Sequence, residues 1–115
     1  MRTDRELLEL AAKAAGLKLA DEFDSHIPSG GLWVVGAGGN DAVWDPLNDD
    51  AAAFRLAVKL QLTVCNEHVS AGVAYCIHED NMCPEVRSGS GEDEVIEADY
   101  SATRCAIVMA AADIW

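Results

Sequence analysis

The sequence predicts an α+β fold, with three helices packed on a small antiparallel sheet of about four or five strands. Three observations predict it. Apolar residues recur at helical spacing near both ends and in the middle of the chain. Between those segments lie short runs rich in Val, Cys, Thr and Tyr, bounded by Gly, Ser and Pro. The length of 115 residues, half of them hydrophobic, suits a single domain over Met1–Trp115.

Taken in order, Thr3 followed by Glu6 has capping-box spacing, which predicts a helix over Asp4 to Ala15. Its apolar face is Leu7, Leu8, Ala11, Ala14 and Ala15, and Gly16 supplies a left-handed stop with Leu17 folding back. Leu17 to Ser29 reads as loop, with acids at Asp21, Glu22 and Asp24 and a turn signal from Pro28 to Gly31. Leu32 to Val35 and Ala42 to Trp44 read as a small hairpin across the glycine-rich GAGGN. In WDPLNDDAAAFRLAVKL, Pro46 keeps Asp45 out of helical space. Asn48 or Asp49 then caps a helix whose apolar face is Ala53, Phe54, Leu56, Ala57 and Leu60. Trp44 and Leu47 are expected to pack where the loop enters. Leu62 to Glu67 and Gly72 to Ile77 predict paired antiparallel strands. Val86, and Val95 with Ile96, are expected as edge-strand residues flanking an acidic tip. The last helix, Tyr100 to Ile114, capped by Asp99 or Ser101, is apolar nearly all round and should be the most buried.

Charge narrows function. Acidic residues number 20 against 8 basic, a net charge of -12, which disfavours direct contact with a polyanionic backbone and favours a basic partner. Charges interrupt the apolar residues of MRTDRELLEL, so no secretory h-region is expected. The longest apolar run, Cys105 to Ala112, falls far short of the roughly 20 residues that span a bilayer. Without an export signal, the four cysteines are expected as reduced thiols.

Local chemistry explains most candidate motifs. GAGG at 36 to 39 lacks a third fingerprint glycine, position 41 being Asp, so it reads as a hairpin loop. Cys65, His68, Cys76, His78 and Cys83 are metal-type ligands, but no CxxC pair is present and Cys65 and His68 fall on opposite faces of a strand. A Cys nucleophile with His68 or His78 lacks any specified oxyanion device. No catalytic residue, metal or cofactor is assigned. The candidate partner-binding residues are the acids Glu79, Asp80, Glu85, Glu92, Asp93, Glu94 and Glu97, with Asp21, Glu22 and Asp24. From 79 to 99 the only cation among Lys and Arg is Arg87.

Three stretches carry a resemblance: DRELLELAAKAAG at 4 to 16, WDPLNDD at 44 to 50 with FRLAV at 54 to 58, and SATRCAIV at 101 to 108. Together they resemble a family of small tailed-phage and prophage accessory proteins, which usually carry Asn where this chain has Asp45. The acidic region matches nothing in that pattern. The resemblance implies phage origin, action in the host bacterial cytoplasm and no catalytic residues to carry over. By analogy with other small acidic phage proteins, it implies an anti-CRISPR-like inhibitor of a basic host protein, a CRISPR effector or nuclease. The alternatives are a phage accessory adaptor with no inhibitory role and a small metal- or cysteine-dependent enzyme.

Overall fold

The computed structural model describes residues 3–19, 31–35, 41–67, 72–87 and 95–114. It has three helices and two small antiparallel sheets, an α+β arrangement. In chain order these are α1 (Asp4–Ala14), β1 (Leu32–Val35), β2 (Asp41–Trp44), α2 (Asp50–Lys59), β3 (Thr63–Glu67), β4 (Val73–His78), β5 (Asn81–Met82), β6 (Val86–Arg87) and α3 (Glu97–Ile114).

Helix α1 begins as its sequence dictates. The Thr3 side chain accepts from the Glu6 N–H at 3.2 Å, satisfying one of the donors that the first turn leaves open. It ends in a Schellman motif, where Gly16 at φ 75° lets its N–H reach Lys13 O and the Leu17 N–H reach Ala12 O. Helix α2 ends with the same pair of bonds, Gln61 N–H to Val58 O and Leu62 N–H to Ala57 O. Here the left-handed residue is Gln61 at φ 55°, which has a Cβ and is strained where glycine is not. At the front of α2, Asp49 is the cap and accepts from Ala51 N–H at 3.1 Å.

Helix α3 starts earlier than its composition suggests, at Glu97 rather than Tyr100. Asp99, 3% exposed, lies inside the first turn, and its carboxylate reaches back to accept the Ile96 N–H at 2.9 Å. This is the returning half of a capping box, and it draws Val95 and Ile96 into the approach to the helix instead of an edge strand. Its buried face is mostly alanine, Ala102, Ala106, Ala110 and Ala111 among them, set against Leu8 and Ala11 of α1 and Ala15 at its carboxyl end. Small side chains on both helices allow the axes to approach closely.

Strand β3 pairs with β4 from Thr63↔Ile77 to Glu67↔Val73. The other edge of β4 is covered in two pieces, β5 at Ile77↔Met82 and β6 at Ala74↔Val86. Three residues of the outer chain (83–85) face two of β4 between those pairs, so one residue is extra and the edge bulges. Pro84, which has no N–H to donate, sits in that bulge. Cys83 restores contact by donating its N–H to Cys76 O at 2.8 Å. Ala74 and Cys76 are fully buried on the face that meets α3, where the Thr103 hydroxyl bonds Asn66 Oδ1 at 2.8 Å. The hairpin β1–β2 forms its own sheet, bridged by Leu19 on its other side. Leu32 and Val34 carry it into the core.

One sequence expectation fails inside α2. Ala53, Leu56 and Ala57 are buried, but Phe54 is 68% exposed and Val58 61% exposed. At 100° per residue, the face set by 53, 56 and 57 leaves 54 and 58 together on an adjacent stripe, turned from the core. Among the described residues no helix is long and apolar enough to cross a membrane.

Two substitutions should move stability in opposite directions. Gln61→Gly removes left-handed strain and should raise the unfolding free energy by about 1 kcal/mol in urea titration. Gly31→Ala places a methyl 2.8 Å from Asp45 Cβ at φ +90° and should lower it by about 1–3 kcal/mol.

Candidate functional site

The acids that the sequence groups together are separated by the fold. Glu79 and Asp80 are the two central residues of the β4–β5 turn, at φ 49° and 69°. Positive φ at both positions is the type I′ signature, a turn that Asn-Gly fills with least strain. Both side chains are exposed, and neither forms an ion pair with a described residue. Glu85 is also exposed, in the bulge beside Pro84. Glu97 lies elsewhere, at the amino end of α3. That helix runs along β4, from Thr103 beside Asn66 to Asp113 near Cys83. Glu97 therefore sits at the opposite end of the sheet from the hairpin tip, separated by the six residues of β4, or roughly 16 Å. Asp21, Glu22, Asp24, Glu92, Asp93 and Glu94 lie outside the described residues.

Glu97 is engaged by a residue that the sequence reading did not single out. Arg104, 8% exposed, donates Nη2–H to Glu97 at 3.0 Å, Nη1–H to Asp50 at 2.6 Å and Nε–H to Leu47 O at 2.8 Å. Burial pulls its pKa down, but the hydrogen bonds and charges of Asp50 and Glu97 outweigh that and raise it, so the guanidinium stays cationic. A lone arginine immediately before the apolar run Cys105 to Ala112 was the available signal: a long cation on a buried helix must find acids.

Beside this clasp, α2, β3 and α3 border an open groove of about 700 Å³. Val64 and Ile107 contribute to it, with Phe54 and Val58 along one wall and Tyr100 and Val95 along the other. A second depression of about 910 Å³ lies across the Phe54–Val58 ridge, lined by Trp44, Leu17, Arg55 and Lys59. Trp44 and Leu47 pack against the core, as their place at the helix entry implies.

The thiols do not assemble a reactive centre. All four cysteines are free. Cys76 is pushed up to about 12 by burial, with the neighbouring Cys83 and Cys65 adding to it, and burial also raises Cys83 and Cys105. A nucleophilic cysteine needs the reverse shift. Tyr75 is likewise raised to about 12, through hydrogen bonding with Cys65 and then Glu67, whose carboxylate accepts its hydroxyl at 3.2 Å. Among the described residues no group of three or more His, Cys, Asp and Glu is placed to hold a metal ion. His68 lies outside them. No protein-family model matches the chain, and no curated protein or solved structure matches it either.

Arg104→Met should lower stability by about 1–3 kcal/mol, because Leu47 O loses its partner and α3 its link to α2; urea midpoints measure this. Cys76 and Tyr75 both hold their protons more tightly folded than at their ordinary values of 9.0 and 10.0. Stability from these groups is therefore complete below about pH 9 and lost as pH rises toward about 12. Cys76→Ala should flatten the fall in urea midpoint over that range, and native Cys76 should resist a thiol reagent at pH 8 until the chain is unfolded.

Proposed function

We propose that this chain is a non-enzymatic protein-binding module that docks on a basic bacterial host protein and blocks it, a phage counter-defence inhibitor of the anti-CRISPR kind acting in the host cytoplasm. The observation that carries the reading is the β4–β5 tip. Glu79 and Asp80 occupy two left-handed positions that Asn-Gly would fill at lower energy, and both present exposed carboxylates. Local strain of this type accumulates where a surface is used. Glu85 adds a further exposed acid close along the same edge, and the net charge of -12 gives the whole chain an attraction for cationic surfaces. The same charge opposes direct binding to DNA or RNA. Upward-shifted thiols support a binding role over cysteine chemistry. The phage setting rests on the resemblance of residues 4–16, 44–58 and 101–108.

The paired substitution Glu79→Asn with Asp80→Gly separates function from stability. It should raise the urea midpoint, because the turn loses strain, and slow association with the target by about tenfold at low salt, because steering charge is lost. Purified CRISPR effectors and basic nucleases, assayed for cleavage with and without the chain, provide the target panel. Inhibition of cleavage that weakens with salt and with the turn variant is the expected result. Undiminished cleavage across the panel would remove the inhibitor reading.

A further inference from the structure

We infer that the groove between α2 and α3 is an anchoring site for a cationic, amphipathic segment of the partner, which inserts apolar side chains against Phe54, Val58 and Tyr100 while its Arg or Lys residues meet Asp50 and Glu97. This inference rests on the proposed binding role and assigns it a second, apolar contact distinct from the acidic hairpin tip.

Steric and chemical features converge on this groove. Phe54 and Val58 are four residues apart on α2, which stacks them into one ridge one turn long. Helix formation and core packing use the neighbouring stripe of Ala53, Leu56 and Ala57 and place no demand on these two positions. An isolated exposed apolar residue needs no explanation, but here the ridge faces Tyr100, itself 52% exposed, across a depression backed by Val64 and Ile107. Such concave apolar surfaces with an aromatic rim accept partner anchors well.

Charge selects the occupant. At the end of the groove Asp50 and Glu97 bring two negative charges and Arg104 one positive. The arginine is 10% exposed at its side chain, whereas the two carboxylates are 74% and 79% exposed. A visitor therefore meets a net negative end whose cation is buried beneath the acids. A second copy of this chain would bring another -12 charges to the contact, and like charges at an interface oppose association. A basic segment is attracted by the end and the overall field together.

The test uses the full chain and a synthetic helical peptide with Leu and Phe on one face and Lys and Arg on the other. Two controls accompany it: a scrambled peptide of the same composition, and one with Glu in place of every cation. Amide NMR shifts and calorimetry report site and affinity. The expected result is binding of the amphipathic peptide, shifts at 54–66 and 95–107, and a loss of about tenfold or more in affinity for Phe54→Ser. The scrambled peptide should bind weakly and the acidic peptide not at all. Because Phe54 is exposed, thermal melts of Phe54→Ser should match the parent and exclude unfolding as the cause. Equal binding of amphipathic and scrambled peptides, unaffected by Phe54→Ser, would overturn the groove while leaving the acidic binding reading intact. Failure of both cationic peptides to bind would overturn both. Phe54-dependent self-association at neutral pH would assign the groove to a second copy and end the inference.

Discussion

The arrangement depends on a buried guanidinium. Arg104 projects from the most buried helix and joins Glu97 at the start of its own helix to the Leu47 carbonyl and Asp50 at the entry of α2, more than 50 residues earlier in the sequence. A cation so enclosed is tolerated only when its donors are met, and charge-assisted bonds meet them here. The carboxylates remain largely exposed, so the ion pairs lose much of their Coulomb energy to solvent. The clasp ties the entry of α2 to α3 at one end of the groove that the two helices border, alongside the apolar packing of Ala53, Leu56, Ala57 and Ile107.

Around that clasp, the chain ends its helices by hydrogen bonding rather than by composition alone. Thr3, Asp49 and Asp99 each satisfy an N-terminal donor, by two different routes. Two Schellman motifs close α1 and α2 with identical bonding, though only one has the glycine that the motif favours. Among the described residues, Gln61 and the Glu79–Asp80 turn hold positive φ without glycine, which puts local strain beside the groove and at the acidic tip. Two sites that the functional reading uses are thus two sites where local conformational preference is overridden.

On the proposed binding function, the molecule presents two kinds of recognition surface. The hairpin tip and bulge offer the exposed carboxylates of Glu79, Asp80 and Glu85, with Arg87 two residues beyond the last of them, suited to long-range attraction that salt weakens. The groove offers apolar contact with a polar end, suited to short-range anchoring after encounter. In a binding module these play complementary parts, the first governing approach and the second residence.

Local rules determined much of this from the residue order. Thr3 with Glu6, Gly16, Pro46 with Asp49, and the alternating runs at 62–67 and 72–77 each act within a few positions, so the helices and paired strands were legible, and so was the burial of the last helix. Only the tertiary structure decided the rest. It divided the strands into two sheets instead of one, because the 32–44 hairpin meets the core separately from β3 and β4. It turned Phe54 outward, because the neighbouring stripe of α2 faces α3. It placed Glu97 far from Glu79 and Asp80, because β4 and α3 carry the chain to opposite ends of the sheet. It gave Arg104 its acids, Asp50 being 54 residues away in sequence. Periodicity and capping are local and survive in the order of residues. Which faces meet, and which charges become neighbours, depends on distances that exist only once the chain is packed.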